Sequence, residues 1–164
     1  MFGIRVWFII NNGLTYNTNY MQFKILNCPD KDFRPYLERA AIFYAKELIP
    51  DTRLRNRCFT KIRFDANIME YGYCSVEDYN TRKQPREFLI EIHPGLGAPT
   101  ILSVLAHEMV HVKQLAKGVL KTRKTGSFIW AGKRYSKKTE YLSMPWEIEA
   151  FSKQELILRR AFQA

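Results

Sequence analysis

Residues 99–117 read PTILSVLAHEMVHVKQLAK and predict the central element of the fold. Pro99 suits the first turn of a helix, because the backbone N–H that proline lacks would have no partner there. The apolar residues are spaced three or four apart, as on the buried face of a helix: Leu102, Leu105, Met109 and Val112. Gly118 is a natural residue to end the helix. The pattern predicts a helix over 99–117 that packs into the core.

Two histidines of this helix, His107 and His111, are four residues apart, so their side chains lie one turn apart on the same face. Both imidazoles can then reach one ion at the ~2.0–2.1 Å that zinc prefers. Glu108 is rotated about 100° from His107, which directs it at water beside the ion. This is the His-Glu-x-x-His arrangement of zinc hydrolases. The alternative is two ordinary histidines on a helix face, with Glu108 exposed.

A catalytic zinc site needs a third protein ligand, and no histidine follows His111. A ligand from the downstream sequence must therefore be a carboxylate, and the candidates are Glu140, Glu147 and Glu149. Glu147 and Glu149 differ by about 200° around a helix, so only one of them can face the metal. We select Glu147, because the small Ala150 lies on the same face and would let two helices approach closely. The alternative is that Glu147 only stabilises the first turn after Pro145 through the helix dipole.

The remaining sequence predicts helices and strands around this motif. A helical apolar stripe covers residues 33–48 and stops at Pro50. Strands are predicted over residues 21–27, 58–66, 71–76 and 87–93, with a polar hairpin loop over 77–85. A tight hairpin is predicted over 128–135, turning at Ala131-Gly132, and a last helix from Pro145 towards Phe162. We expect an α+β fold with an N-terminal helix, a small, mostly antiparallel sheet, the motif helix, a β-hairpin and a C-terminal glutamate helix.

Length and composition favour one domain over residues 21–164, since 164 residues with 46% hydrophobic side chains suffice for one core. Residues 1–20 are predicted to be a disordered extension or an over-called start. Their apolar run, residues 6–10, is shorter than the ~7–15 residues of a signal-peptide core. No apolar run approaches the ~20 residues of a membrane span. The three cysteines, Cys28, Cys58 and Cys74, are odd in number and widely spaced, which favours reduced thiols and a cytoplasmic protein.

The formal net charge of +10 indicates anionic partners: nucleic acid, a cell envelope or an acidic protein surface. The alternative is a basic surface that serves solubility. Residues 117–138 are rich in Lys and Arg and contain Phe128, Trp130 and Tyr135. Such a mixture could bind phosphates or stack on single-stranded bases. The alternative, which we favour, is a solvated hairpin whose aromatic rings are buried on the sheet.

Residues 105–114 (LAHEMVHVKQ), followed by 145–150 (PWEIEA), resemble the SprT-like metallopeptidases found in phages. They are also similar to minimal gluzincins, small zinc peptidases with two histidines and one glutamate. The resemblance covers roughly residues 21–162 in element order. It implies a zincin-like fold, Zn²⁺ bound by His107, His111 and Glu147, and Glu108 as general base. The chain departs from SprT and Spartan proper, which use a third histidine, so their role in DNA–protein crosslink repair is not carried over. It also has Phe151 where larger gluzincins often have an acid that supports a zinc histidine.

These features predict a zinc-dependent peptidase that acts on a peptide or protein substrate. The oxyanion formed during hydrolysis needs a hydrogen-bond donor, for which Tyr135, Tyr141 and His93 are the candidates. An exposed edge of the strand 87–93 or of 71–76 could receive an extended peptide. The alternatives are a basic, nucleic-acid-associated binding module that keeps the fold without turnover, and a cell-wall peptide amidase.

Overall fold

The computed structural model describes residues 20–123 and 125–163. The predicted N-terminal extension therefore lies, except for Tyr20, outside the described residues. The helices are α1 (Arg34–Leu48), α2 (Thr52–Arg55), α3 (Ala98–Ala116) and α4 (Pro145–Gln163), with a 3₁₀ helix at Tyr141–Ser143. The strands are β1 (Gln22–Leu26), β2 (Phe59–Phe64), β3 (Gly72–Tyr79), β4 (Pro85–Ile92), β5 (Leu120–Thr122), β6 (Phe128–Trp130) and β7 (Lys133–Tyr135). The predicted α+β class is confirmed.

The strands form two sheets. The larger has the order β1-β2-β4-β3, and the smaller has the order β5-β6-β7. Among the described residues, three of the five strand pairs are antiparallel, which agrees with the prediction of mostly antiparallel strands for the two sheets taken together. The two parallel pairs, β1–β2 and β2–β4, both lie in the larger sheet. Strands β1 and β2 can pair in parallel because α1 carries the chain back between them.

The hairpin of β3 and β4 differs in extent from the prediction. The predicted loop over 77–85 is too long, because both strands continue into it and leave only residues 80–84 as the turn. Glu77 is polar but belongs to β3, where its carboxylate pairs with Lys61 Nζ at 2.6 Å. Irregular pairing at Val76 to Tyr79 also marks this end of the hairpin. Polar residues on the solvent side of an edge strand have the composition of a loop, which explains the error.

Helix α3 is the centre of the molecule. It packs against α1, α4 and strands β3, β4 and β5. Leu105, Ala106, Met109, Val110 and Val112 have no exposed surface. A helix with neighbours on several sides is apolar around most of its circumference, so polar side chains on it need partners. Gly118, with φ +69°, ends the helix as predicted.

The small sheet contains the predicted hairpin, which turns at Ala131 (φ +46°) and Gly132 (φ +85°). Strand β5, which the sequence did not predict, adds a third strand. Rings of β6 and β7 lie against Trp146 in the first turn of α4: Phe128 at 4.8 Å, Trp130 at 6.4 Å and Tyr135 at 5.5 Å between centroids. The aromatic side chains of the hairpin are thus part of its packing, as favoured by the sequence.

In the described ranges, no helix has the length and apolar character needed to cross a membrane. All three cysteines, Cys28, Cys58 and Cys74, are free thiols.

Candidate metal site

The site is formed by one turn of α3 and the first turn of α4. The Nε2 atoms of His107 and His111 are 3.2 Å apart. Glu147 Oε2 lies 3.2 Å from His107 Nε2 and 3.5 Å from His111 Nε2. The three side chains are only 8–12% exposed. The structure therefore brings together the three residues that the sequence selected, as a buried group that could hold a metal ion.

The spacing of these three atoms fits metal coordination. Ligand atoms at ~2.0–2.1 Å from a tetrahedral ion are about 3.3 Å from one another. The three observed separations, 3.2, 3.2 and 3.5 Å, bracket that value. The fit requires no rearrangement of either helix.

Gln114 sets the orientation and tautomer of His111. The Gln114 side chain is fully buried, and its Nε2 donates to the carbonyl of Trp146 and to Glu149 Oε2, both at 2.9 Å. A carbonyl and a carboxylate only accept, so the amide nitrogen must face them and Oε1 must face His111. His111 Nδ1 lies 2.9 Å from that oxygen. The proton of His111 is thereby placed on Nδ1, and the lone pair of Nε2 is left for the site.

Gln154 holds His107 in a similar way from α4. His107 Nδ1 lies 3.1 Å from Gln154 Oε1, and Gln154 Nε2 donates to Ser103 Oγ at 2.5 Å. The ring of Phe151 covers His107 at a centroid distance of 4.6 Å. The sequence predicted that support for the histidines must come from somewhere other than position 151, and the two glutamines provide it.

With both Nδ1 atoms protonated, three atoms that carry lone pairs face one another: His107 Nε2, His111 Nε2 and Glu147 Oε2. Such an arrangement is repulsive unless positive charge lies between the atoms. Burial lowers the pKa of His111, but its hydrogen bond to Glu147 and the charge of Glu108 outweigh burial and raise it. In the absence of a metal, a protonated imidazole can donate from Nε2 to Glu147 instead, and such hydrogen bonds from His107 and His111 lower the pKa of Glu147 below its usual range, although burial alone would raise it. The cluster therefore attracts a cation, and two imidazoles with one carboxylate suit a transition metal.

Glu108 lies beside this cluster, between α3 and the first residue of β3. Only 6% of it is exposed, and this burial raises the pKa of its carboxyl group. Gly72 makes the close approach possible: a Cβ there would lie 2.3 Å from Val104 Cγ1 and 3.1 Å from Glu108 Oε1. Any larger residue would push β3 away from the helix. The sequence did not indicate this function for Gly72.

Tyr141, in the 3₁₀ helix before α4, is the predicted oxyanion donor that the structure places at the site. Burial and hydrogen bonding to Glu147 raise the pKa of its hydroxyl above the usual range, and the charge of Glu108 adds to the effect. The residue as a whole is 51% exposed. Tyr141 is thus half exposed at the edge of the cluster, with its hydroxyl hydrogen-bonded to Glu147.

The structure places the two other candidate donors elsewhere. The ring of Tyr135 contacts Trp146, with Lys133 Nζ 5.4 Å from its centroid. His93 lies in the turn after β4, where its Nδ1 accepts a hydrogen bond from the Gly95 N–H at 3.1 Å.

The two alternative carboxylates have other partners. Glu149 pairs with Lys113 Nζ and accepts from Gln114, and these bonds outweigh burial and lower its pKa. Glu140 is exposed and lies 3.5 Å from Ser143 Oγ. The choice of Glu147 thus agrees with the geometry, and Glu149 supports the glutamine that orients His111.

No protein-family model, no curated protein and no solved structure matches this chain. We therefore infer the function from the geometry and chemistry of the site.

The support from Gln154 can be tested with Gln154→Met, which keeps the volume of the side chain but removes the acceptor. Loss of such a partner typically weakens metal binding about 10–100-fold, and we expect this range for Co²⁺, titrated by its visible absorption. Gln22→Met, at an exposed position of β1, is the matched control and should bind as the wild type does. Equal affinity in all three proteins would show that Gln154 does not orient the ligand.

Proposed function

We propose that the chain is a zinc-dependent peptidase in which His107, His111 and Glu147 bind the metal and Glu108 is the general base. One observation carries the proposal: three buried lone-pair atoms converge at metal-ligand spacing, with a second carboxylate, that of Glu108, beside them and outside the ligand set. A purely structural metal site has no use for that carboxylate. The resemblance to SprT-like metallopeptidases of phages and to minimal gluzincins, with their zincin-like fold, supports the same proposal.

Zinc is the metal that we infer from the donor set. Two imidazoles and one glutamate, with a fourth position left for water, form one of the usual catalytic zinc sites. A facial triad for Fe²⁺ also uses two histidines and one carboxylate. The His-Glu-x-x-His spacing favours zinc, because it adds the base that hydrolysis needs and that iron chemistry does not. When bound, zinc polarises the scissile carbonyl and lowers the pKa of water.

Two side chains of the protein then handle proton transfer and hydrogen bonding during hydrolysis. Glu108 accepts the proton of the attacking water and passes it to the nitrogen of the leaving amine. Burial suits this task, because a raised pKa makes the carboxylate a stronger base. The hydroxyl of Tyr141 donates a hydrogen bond to the oxyanion that forms from the scissile carbonyl.

A peptide substrate is supported by the position of β3. Among the described residues, β4 lies between β2 and β3, so of the two strands considered for peptide binding only β3 is an edge strand. Strand β3 begins at Gly72, next to Glu108. An extended peptide that adds to this edge gains main-chain hydrogen bonds and passes the general base. The stacking of single-stranded bases has less support, since the hairpin aromatics pack on Trp146.

Metal content is the first test of this proposal. Elemental analysis of the purified wild type should find about one zinc per chain, lost in His107→Ala and in Glu147→Gln. The matched control is Glu155→Gln, on the same helix, where the carboxylate is exposed and pairs with Arg159. This variant should keep its zinc. A folded wild type that takes up iron, or no metal when zinc is supplied in excess, would contradict the zinc site.

Hydrolysis itself is tested with Glu108→Gln, which keeps the shape of the base but cannot accept the proton. We expect this variant to bind zinc as the wild type does and to lose roughly 10²–10⁴-fold in the rate of cleavage. The rate is measured on fluorescent casein and on a mixed peptide library, with cleavage sites identified by mass spectrometry. An unchanged rate would exclude Glu108 as the base.

The donor is tested with Tyr141→Phe on any peptide that the wild type cleaves. Because the lost hydrogen bond acts on the oxyanion, kcat should fall about 10²–10³-fold while KM and zinc content stay nearly constant. Tyr36→Phe, an exposed tyrosine of α1, is the control and should have wild-type kinetics. A rise in KM without a fall in kcat would assign Tyr141 to substrate binding instead.

A further inference from the structure

A cavity lies at the C-terminal end of α3, away from the candidate metal site, and none of the proposed metal ligands lines it. Its volume is about 480 Å³. The cavity lies between the C-terminal end of α3, the β3–β4 hairpin and β5, and its apolar wall includes Val76, Leu115 and Leu120. The charged side chains that line it are Arg82, Lys83, Lys117 and Lys121. Among the described residues that line it, none is acidic.

The end of a helix carries partial negative charge on its free carbonyls, which would oppose an anion. Here those carbonyls are already engaged. Ala116 O accepts from Arg86 Nη1 at 3.1 Å, and Gln114 O accepts from the Val119 N–H at 3.1 Å. The guanidinium of Arg86 adds a positive charge beside the helix end. The cavity therefore has a positive field that the helix end does not cancel.

The cavity shares two elements with the metal site, so its distance from Glu108 can be measured along the chain. On β3, Gly72 lies against Glu108 and Val76 lines the cavity. Four residues of strand span about 13 Å. On α3, the seven residues from Glu108 to Leu115 span about 10 Å. In an extended peptide bound at the edge of β3, the residue about four positions from the scissile bond would therefore lie at the cavity.

We propose that this cavity binds acidic side chains of the peptide substrate, about four residues from the bond that is cleaved. The stated distance from the scissile bond rests on the proposed peptidase function. The binding of an acidic side chain in the cavity does not. Four cationic side chains around an apolar wall suit a carboxylate on a short aliphatic stem, as in glutamate. The net charge of +10 draws acidic segments to the protein in the same way.

An acidic peptide fits this cavity better than nucleic acid does. A nucleic-acid strand needs a long basic track and open aromatic faces for its bases. One aromatic ring lines the cavity, that of Tyr79, which is 50% exposed, and a single ring does not form a track of stacking faces. The rings on β6 and β7 pack against Trp146. A bounded cavity beside an edge strand suits a side chain that projects from an extended peptide.

The test measures binding by fluorescence anisotropy on the Glu108→Gln protein, so that no peptide is cleaved. The probes are rhodamine-labelled twelve-residue alanine-rich peptides that carry two adjacent glutamates, two glutamines or two lysines, with oligo(dT) as competitor. The glutamate peptide should bind roughly two- to thirtyfold more tightly than the glutamine peptide, the range expected from two exposed ion pairs. The lysine peptide should bind most weakly. Added salt should reduce these preferences.

Lys117→Gln/Lys121→Gln should abolish the preference for glutamate. The matched control is Lys24→Gln/Lys31→Gln, which removes the same charge near the opposite edge strand, β1, and should keep the preference. Equal loss of the glutamate preference in both double variants would show that the preference depends only on net charge, and would overturn the proposal. Tighter binding of oligo(dT) than of the glutamate peptide, lost in the cavity variant, would assign the cavity to nucleic acid instead.

The same titrations are run with zinc and with EDTA. A preference for glutamate that persists in EDTA supports the cavity even if the wild type cleaves no peptide, in which case only the peptidase proposal fails. A protein that cleaves peptides but has no preference for glutamate would overturn the cavity proposal and leave the peptidase intact.

Discussion

The structure depends on one constraint: three lone-pair atoms from two helices must face one another within 3.5 Å in a buried space. The two helices are α3, which supplies both histidines, and α4, which supplies Glu147. Ala150 is fully buried and lets the helices approach closely. The Gln114 amide ties them together through the Trp146 carbonyl. Because unpaired acceptors in the interior are costly, this arrangement is stabilised by positive charge at its centre, which a metal ion or the proton of an imidazolium can supply.

The supporting residues are amides rather than acids, and this choice affects the charge of the site. A divalent ion would be balanced by the two carboxylates, Glu108 and Glu147, with both imidazoles neutral. Acidic partners hydrogen-bonded to the histidines would add two buried negative charges. They would also make the imidazoles stronger electron donors, which neutralises more of the ion's positive charge. Gln114 and Gln154 fix the tautomers without that charge. The metal would then keep more of its power to polarise a carbonyl, and Glu108 would remain the carboxylate available to accept a proton, because Glu149 is paired with Lys113.

Sequence reasoning predicted the elements that local pattern controls. The helical period placed His107 and His111 together and separated Glu147 from Glu149, and the structure agrees on both points. The parallel pairing of β1, β2 and β4 could not be predicted, because strand partners depend on contacts far apart in the chain. The supporting glutamines were also missed, although spacing offered a signal. Gln114 is three residues after His111, and Gln154 is seven after Glu147, so each shares a helix face with a ligand.

The small sheet illustrates why a surface hairpin matters to a buried site. Its rings pack around Trp146, which directly precedes Glu147, and the carbonyl of Trp146 holds Gln114 in the orientation that His111 requires. Movement of the hairpin would therefore reach two residues of the candidate metal site, Glu147 through the backbone and His111 through the Gln114 amide. The aromatic residues that suggested nucleic-acid binding in the sequence are better explained by this support. They hold the first turn of α4 at the position where its carboxylate completes the site.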